Sequence, residues 1–275
     1  MRNKERLGLN IKRYQEIVYA SDNVLSIKKR VHELYSSVPI NLNAEICDLL
    51  DLEGDESLLD IGCGTGDFLI YLRKIQKHSG ILFGADLTSG VFEKNKILSN
   101  QENLNINFFE GSILQLPLIS GRFDVVTALH MLSHVSLKQA LEESRRVLSK
   151  EGKFIATANS LHSYPHVDKY RSMAFAMMHW GQPVFTTTSF NMENMRELLS
   201  KEWPRVRIET LIGELRIPVE EFLKYFYANM LIWEPLPTEV EARRILDFVS
   251  SQTSRDAKDG YVVEPKSVGV AICTK

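Results

Sequence analysis

"LLDIGCGTGDF", residues 58–68, is the stretch whose reading decides the fold. Leu58 to Ile61 form a short apolar run with strand character, and glycines at 62, 64 and 66 then carry the chain into the amphipathic stretch "DFLIYLRKIQKH". Strand, glycine loop and helix in that order open a parallel α/β unit. Without Cβ atoms the loop can turn sharply and approach a ligand to van der Waals distance, while N–H groups at the following helix start can bind negative charge. A tight structural turn is the competing reading of the same glycines.

Working outward, Ile81 to Asp86, Ile106 to Glu110, Phe123 to Leu129 and Phe154 to Ala158 read as further strands. Between them "GVFEKNKILSNQ" and "SLKQALEESRRVLSK" have helical apolar spacing, with Gly152 after the latter as a stop signal. The alternation predicts a doubly wound α/β core. Residues 1–52 read as a helical lid broken at Pro39, 53–160 as the core, and 161–275 as the rest of the sheet interrupted by helical insertions over an acceptor site. After Ala158 the alternation lapses into a polar, aromatic and Met-rich run containing "YRSMAFAMMHWG". "NMENMRELLSKEW" then reads as a helix, "RVRIETLIGELRI" as a strand, "EEFLKYFYANMLIW" and "TEVEARRILDFVSSQ" as helices, and "SVGVAICTK" as the last strand.

Composition narrows the partners. The chain has 275 residues, 44% apolar and 25% charged, with net charge -2, so a broad polyanion-binding surface is not indicated. Cys47, Cys63 and Cys273 lack the spacing of a disulfide framework or a zinc site, which predicts a reducing, cytoplasmic setting and no metal. No signal peptide and no run of about 20 apolar residues is present, so no membrane partner is expected.

The loop also selects among nucleotides. A dinucleotide fingerprint needs glycine where Asp67 stands, and an aspartate there repels a pyrophosphate; the G-K-[ST] of a triphosphate loop is missing as well. A cofactor without phosphates is preferred. Asp86, ending the second strand, stands where such folds put a carboxylate on a ribose diol, since it accepts hydrogen bonds from both hydroxyls.

With these residues in place the chain resembles the class I S-adenosylmethionine-dependent methyltransferases from Leu58 to Ser160. "LLDIGCGTGDF", Asp86, "EGSILQLPL", "FDVVTALHMLSHV" and "RRVLSKEGKFIATANS" match five family motifs in order, and His134-Val135 matches the quinone-biosynthesis group (methyltransferase type 11). The resemblance implies a seven-stranded, mostly parallel Rossmann-like sheet with an N-terminal helical lid and late helical insertions. It also implies S-adenosyl-L-methionine as cofactor. Asp60 and the loop of Gly62, Cys63, Gly64 and Gly66 would hold its methionine part, Asp86 its ribose and Leu87 its adenine face. Many relatives have an aspartate where Ser112 stands; the Ser112 hydroxyl and the Ile113 N–H are the expected substitutes on adenine. Leu129 and His130 are expected near the sulfonium.

Displacement from a sulfonium is an in-line reaction with a good leaving group, so alignment and water exclusion supply much of the barrier reduction. A base is needed only for a protonated acceptor, and His130 is the candidate, with a cofactor or acceptor contact or plain packing as its alternatives. Arg30 is the expected partner of the cofactor carboxylate. Tyr14, Tyr19, Tyr35, His134, Asn159, His162 and Trp180 are the candidate acceptor contacts, solvated helix faces and lid packing being the competing roles. The expected activity is methylation of a nitrogen or oxygen of a small molecule or a small peptide natural product, for which the segment after "ATANS" resembles the N-methyltransferases of azole-containing peptides. RNA methylation and a non-catalytic cofactor-binding module are the alternatives. Low net charge and the lack of an Asn/Asp-Pro-Pro-aromatic loop or a Pro-Cys nucleophile disfavour the first, and an intact glycine loop with Asp86 disfavours the second.

Overall fold

The structure, a computed structural model, describes residues 22–37, 41–87, 89–185, 188–231 and 233–275. In chain order the elements are α1 (Asp22–Tyr35), α2 (Leu42–Leu50), β1 (Leu58–Ile61), α3 (Asp67–Lys74), β2 (Leu82–Asp86), α4 (Ser89–Gln101), β3 (Ile106–Glu110) and β4 (Phe123–Leu129). There follow α5 (Leu137–Val147), β5 (Leu148–Asn159), α6 (Pro165–Met177), α7 (Met195–Leu199), β6 (Arg205–Pro218), α8 (Val219–Met230), α9 (Glu239–Asp256) and β7 (Tyr261–Thr274).

The sheet has seven strands in the order β3-β2-β1-β4-β5-β7-β6. The pairs β1–β2, β1–β4, β2–β3 and β4–β5 are parallel, and β7 runs antiparallel to β5, with Ala156 opposite Ala271. This is the expected mostly parallel α/β sheet. Its order reverses at β1 and β4, so the carboxyl end of β1, and with it the glycine loop, lies at the switch point where such sheets bind ligands. All four residues of β1 are buried, as a strand covered by helices on both faces requires.

The chain divides into two compact units, one of residues 41–161, 186–211 and 268–275 and one of residues 1–40, 162–185 and 212–267. Residues 42–50 join the sheet unit because the apolar face of α2, Ile46, Cys47 and Leu50, is buried with Leu58, Phe68, Leu72 and Leu82. A second core in that unit stacks Trp203 on Phe154, ring centroids 5.2 Å apart and nearly parallel. In the helical unit Val31, Tyr170, Phe175, Phe222, Phe226 and Trp233 make a separate aromatic core. Its rings meet mostly edge to face, the arrangement their quadrupoles favour.

Local departures have local causes. Helix α5 stops at Val147, not at Gly152; Gly152 lies inside β5, where an added Cβ would come within 2.6 Å of the Leu148 side chain. Part of the Met-rich run forms α6, begun by Pro165 in the first turn, where a missing N–H costs nothing. Of "NMENMRELLSKEW" only Met195–Leu199 is helical. Among the described residues no helix is long and apolar enough to cross a membrane.

Candidate functional site

The glycine loop leaves β1 with φ of +66° at Gly62, +53° at Gly64 and +78° at Gly66, the left-handed region that side chains disfavour. Its N–H groups are partly used in holding its shape: Gly62 and Cys63 both donate to the Ala85 carbonyl, at 2.7 and 3.0 Å, and Gly66 donates to Cys63 at 2.8 Å. Asn95 of α4 donates to the Thr65 carbonyl at 2.6 Å. The three glycines serve different ends. A Cβ at Gly62 would meet Met131 at 2.9 Å and one at Gly66 would meet the Phe108 ring at 2.5 Å, so these two are demanded by packing. A Cβ at Gly64 meets nothing within 4 Å. Gly64 is therefore the link of the loop whose Cβ side faces open space.

Beside it stands Asp86, only 6% exposed at the carboxyl end of β2, accepting the Gly64 N–H at 2.9 Å. Asp60 lies in the middle of β1, 2% exposed, and accepts the Thr127 hydroxyl of β4 at 2.7 Å. Burial pushes the Asp60 carboxyl up to about 7, the Thr127 bond drawing it down and the Asp86 charge adding to the rise. The two carboxylates make the loop floor acidic. A cationic group is the complement that would hold Asp60 ionised. Burial, with the Asp60 and Asp86 charges, keeps the Cys63 thiol well above its ordinary range, which disfavours the thiolate.

The remaining cofactor candidates lie along the same strand ends. Leu87 follows β2 and is 43% exposed, an apolar surface beside Asp86 in the chain. The Ser112 oxygen accepts the Leu114 N–H at 3.2 Å and its carbonyl the Gln115 N–H at 3.0 Å, so it shapes a turn after β3; the Ile113 side chain is buried in the core. Leu129 ends β4, half-buried.

At the exits of β4 and β5 a cleft of about 80 Å³ is lined by His130, Ser133, His134, Thr157, Asn159 and Phe190. Three candidates named from the sequence, His130, His134 and Asn159, thus come together. His130 is held at φ +54°, a strained conformation for a residue with a side chain. Its N–H is shared by the Thr157 carbonyl at 3.2 Å and the Thr157 hydroxyl at 3.0 Å. On the β5 side Met192 donates to the Asn159 carbonyl at 3.1 Å, and Glu193 accepts the Ser160 hydroxyl at 2.5 Å and the Leu161 N–H at 3.0 Å. Thr127, Thr157, Phe108, Met131 and Glu193 were not marked by sequence reasoning. The short apolar runs of β3, β4 and β5 hinted at the buried ones.

The other candidates lie in the second unit or outside the described residues. Arg30 and Tyr35 are on α1, His162 precedes α6 and Trp180 follows it, all in the helical unit. Trp180 packs edge to face on Phe175 at 5.5 Å, as part of that unit's aromatic core. Tyr14 and Tyr19 lie outside the described residues. Among the described residues no group of His, Cys, Asp and Glu is arranged to hold a metal.

Residues 59–156 match the protein family described as methyltransferase domain. The demethylmenaquinone methyltransferase of Lactococcus lactis is 28% identical over 172 residues, covering 59% of this chain and 65% of that protein. The ubiquinone biosynthesis O-methyltransferase of Coxiella burnetii is 32% identical over 104 residues, 37% of this chain and 43% of that one. The chain therefore spans less than two thirds of the length of these curated relatives. Of solved structures, the YcgJ protein from Bacillus subtilis has a TM-score of 0.58 at 16% identity over 85% of this chain and 97% of its own, a likeness of fold. Residues 59–156 thus match a methyltransferase-domain family, stretches of the chain are similar in sequence to quinone-biosynthesis methyltransferases, and its fold is like that of the YcgJ protein.

Proposed function

We propose that the protein is an S-adenosyl-L-methionine-dependent methyltransferase acting on a nitrogen or oxygen of a small molecule or a small peptide. The observation that carries this reading is the open face of Gly64 directly beside the Asp86 carboxylate, over an acidic floor. That arrangement suits a ligand with a cationic amino-acid end and a sugar diol, and it repels phosphate. The cofactor, when bound, supplies an electrophilic methyl on a sulfonium.

The chain's own residues bind and orient. The backbone at 62–66 and Asp60 take the amino-acid end, Asp86 accepts from the ribose hydroxyls, and Leu87, with the turn at Ser112 and Ile113, covers the adenine. The cleft of His130, His134 and Asn159 admits the acceptor from the strand ends, and Leu129 is the last residue of β4 before it in the chain. His130 takes the acceptor proton where the acceptor carries one. The relative named ubiquinone biosynthesis O-methyltransferase brings oxygen acceptors within range. Three free cysteines, with Cys47 and Cys273 buried, fit a cytoplasmic setting.

The test is calorimetry with S-adenosylhomocysteine and with NADH, followed by transfer of radiolabelled methyl to a panel of phenols, amines and short azole peptides. Binding of the first ligand alone, with label on at least one acceptor, is expected. Binding of NADH, or of neither, would overturn the reading.

A further inference from the structure

The helical unit holds a group of polar side chains that the glycine loop and the β4–β5 cleft do not use. His32 of α1 receives the edges of Tyr164 and Tyr225, ring centroids 5.9 and 6.1 Å away, and its Nδ1 lies 3.1 Å from Nζ of Lys266 on β7. Tyr164, in a left-handed conformation at the start of α6, is held there by its N–H to the Pro265 carbonyl at 3.0 Å. Lys28 precedes His32 by one turn and Tyr35 follows it by about one, so the three share a stripe of α1.

The charges are not balanced in the usual way. The Lys266 ammonium lies against the His32 imidazole, and among the described residues neither Lys266 nor Lys28 meets a carboxylate. Glu264, two residues before Lys266 and on the same face of β7, accepts the His166 and Val167 N–H groups, at 3.1 and 2.9 Å, and the His166 ring at 3.3 Å. Burial, joined by the Glu264 charge, pushes the Tyr164 and Tyr225 hydroxyls above their ordinary range. Burial pulls both lysines below their ordinary range, Lys28 to about 8, with no neighbouring charge opposing it. A half-buried ammonium without an anion costs free energy that an ion pair would offset. The chain has 35 acidic residues, so carboxylates for such pairs were not in short supply.

We propose that Lys266, His32 and Tyr164, with Lys28 on the same stripe of α1, form a binding site for the oxyanion of an aromatic small molecule. The ammonium and the phenol hydroxyl donate to the oxyanion, and the edges and faces of Tyr164, Tyr225 and Tyr35 contact the ring. This site lies wholly within the helical unit. It goes beyond methyl transfer and does not depend on it.

Titrations of the full chain with benzoate, phenyl phosphate and benzamide, read by calorimetry, test the site. At least one of the two anions should bind tighter than benzamide by about tenfold or more, since a hydrogen bond to a charged group is worth that ratio. Lys266→Met should erase the difference, and Lys266→Arg, which keeps the charge, should restore most of it. Equal binding of anion and amide, no binding of either anion, or an anion preference that survives Lys266→Met would each overturn the proposal. S-adenosylhomocysteine affinity, measured on the same samples, reports separately on the methyltransferase reading.

Discussion

Replacing Asp60 by Asn isolates the electrostatics of the loop floor. In the folded apoprotein the Asp60 carboxyl keeps its proton up to about pH 7, whereas in the unfolded chain it ionises near 3.8. Between those values the native state binds more protons than the unfolded state, so this group makes stability fall as pH rises. A displacement from 3.8 to about 7, at about 1.4 kcal/mol per unit, amounts to about 4 kcal/mol lost by pH 8. Asn keeps an oxygen for the Thr127 hydroxyl and carries no charge. A constant offset in packing or hydrogen bonding leaves the pH dependence unchanged. The stability of Asp60→Asn relative to wild type should therefore rise by about 1.4 kcal/mol per pH unit from about pH 4 to about 7, then level off. Urea unfolding of both proteins at half-unit steps, followed by circular dichroism, measures the difference. A difference independent of pH, or one that falls as pH rises, would refute the burial argument. The same carboxyl should make S-adenosylhomocysteine affinity climb through pH 7 in wild type and not in Asp60→Asn.

Gly66→Ala should lower stability by about 2 kcal/mol or more, from a positive φ and a Phe108 contact of 2.5 Å; Gly64→Ala should cost only about 1 kcal/mol of backbone strain yet lose more cofactor affinity than its stability loss explains, as thermal melts and calorimetry will report. Asp86→Ala removes the acceptor of the Gly64 N–H and should weaken S-adenosylhomocysteine by about tenfold or more; unchanged affinity would remove Asp86 from the site. Thr127→Val deletes the bond that draws the Asp60 carboxyl down, so its titration in a carbon-detected spectrum should move above 7. The native protein should react negligibly with a thiol-specific disulfide reagent at pH 8, because burial pushes Cys47 and Cys273 up to about 12 and Cys63 well above its ordinary range. Three thiols should appear on unfolding.

The legible part of the site is the part written in short-range pattern. Apolar runs of strand length, amphipathic helices between them, glycines at alternate positions and an acidic residue ending β2 lie within a few residues of one another, and together they specify a parallel α/β core with its loop at the switch point. The same locality explains the misses. Gly152 reads as a helix stop because Gly commonly is one, but the side chain that needs its space is Leu148, and that packing is invisible in a pattern of periods. Helix α6 hides in a run whose apolar residues surround it, with only Pro165 to announce its start.

What the sequence by itself determined is the order of elements, the family resemblance and the identity of the loop, since backbone propensity and apolar period act between near neighbours. The tertiary structure alone decided which glycine faces open space and which are filled by Phe108 and Met131, that Thr127 and burial set the charge of Asp60, and that His130, His134 and Asn159 share one cleft. It also decided that residues distant along the chain, 22–37, 162–185 and 212–267, group in one compact unit. Those outcomes depend on burial and on contacts between residues far apart in the chain, and desolvation has no value until the whole surface that excludes water is in place.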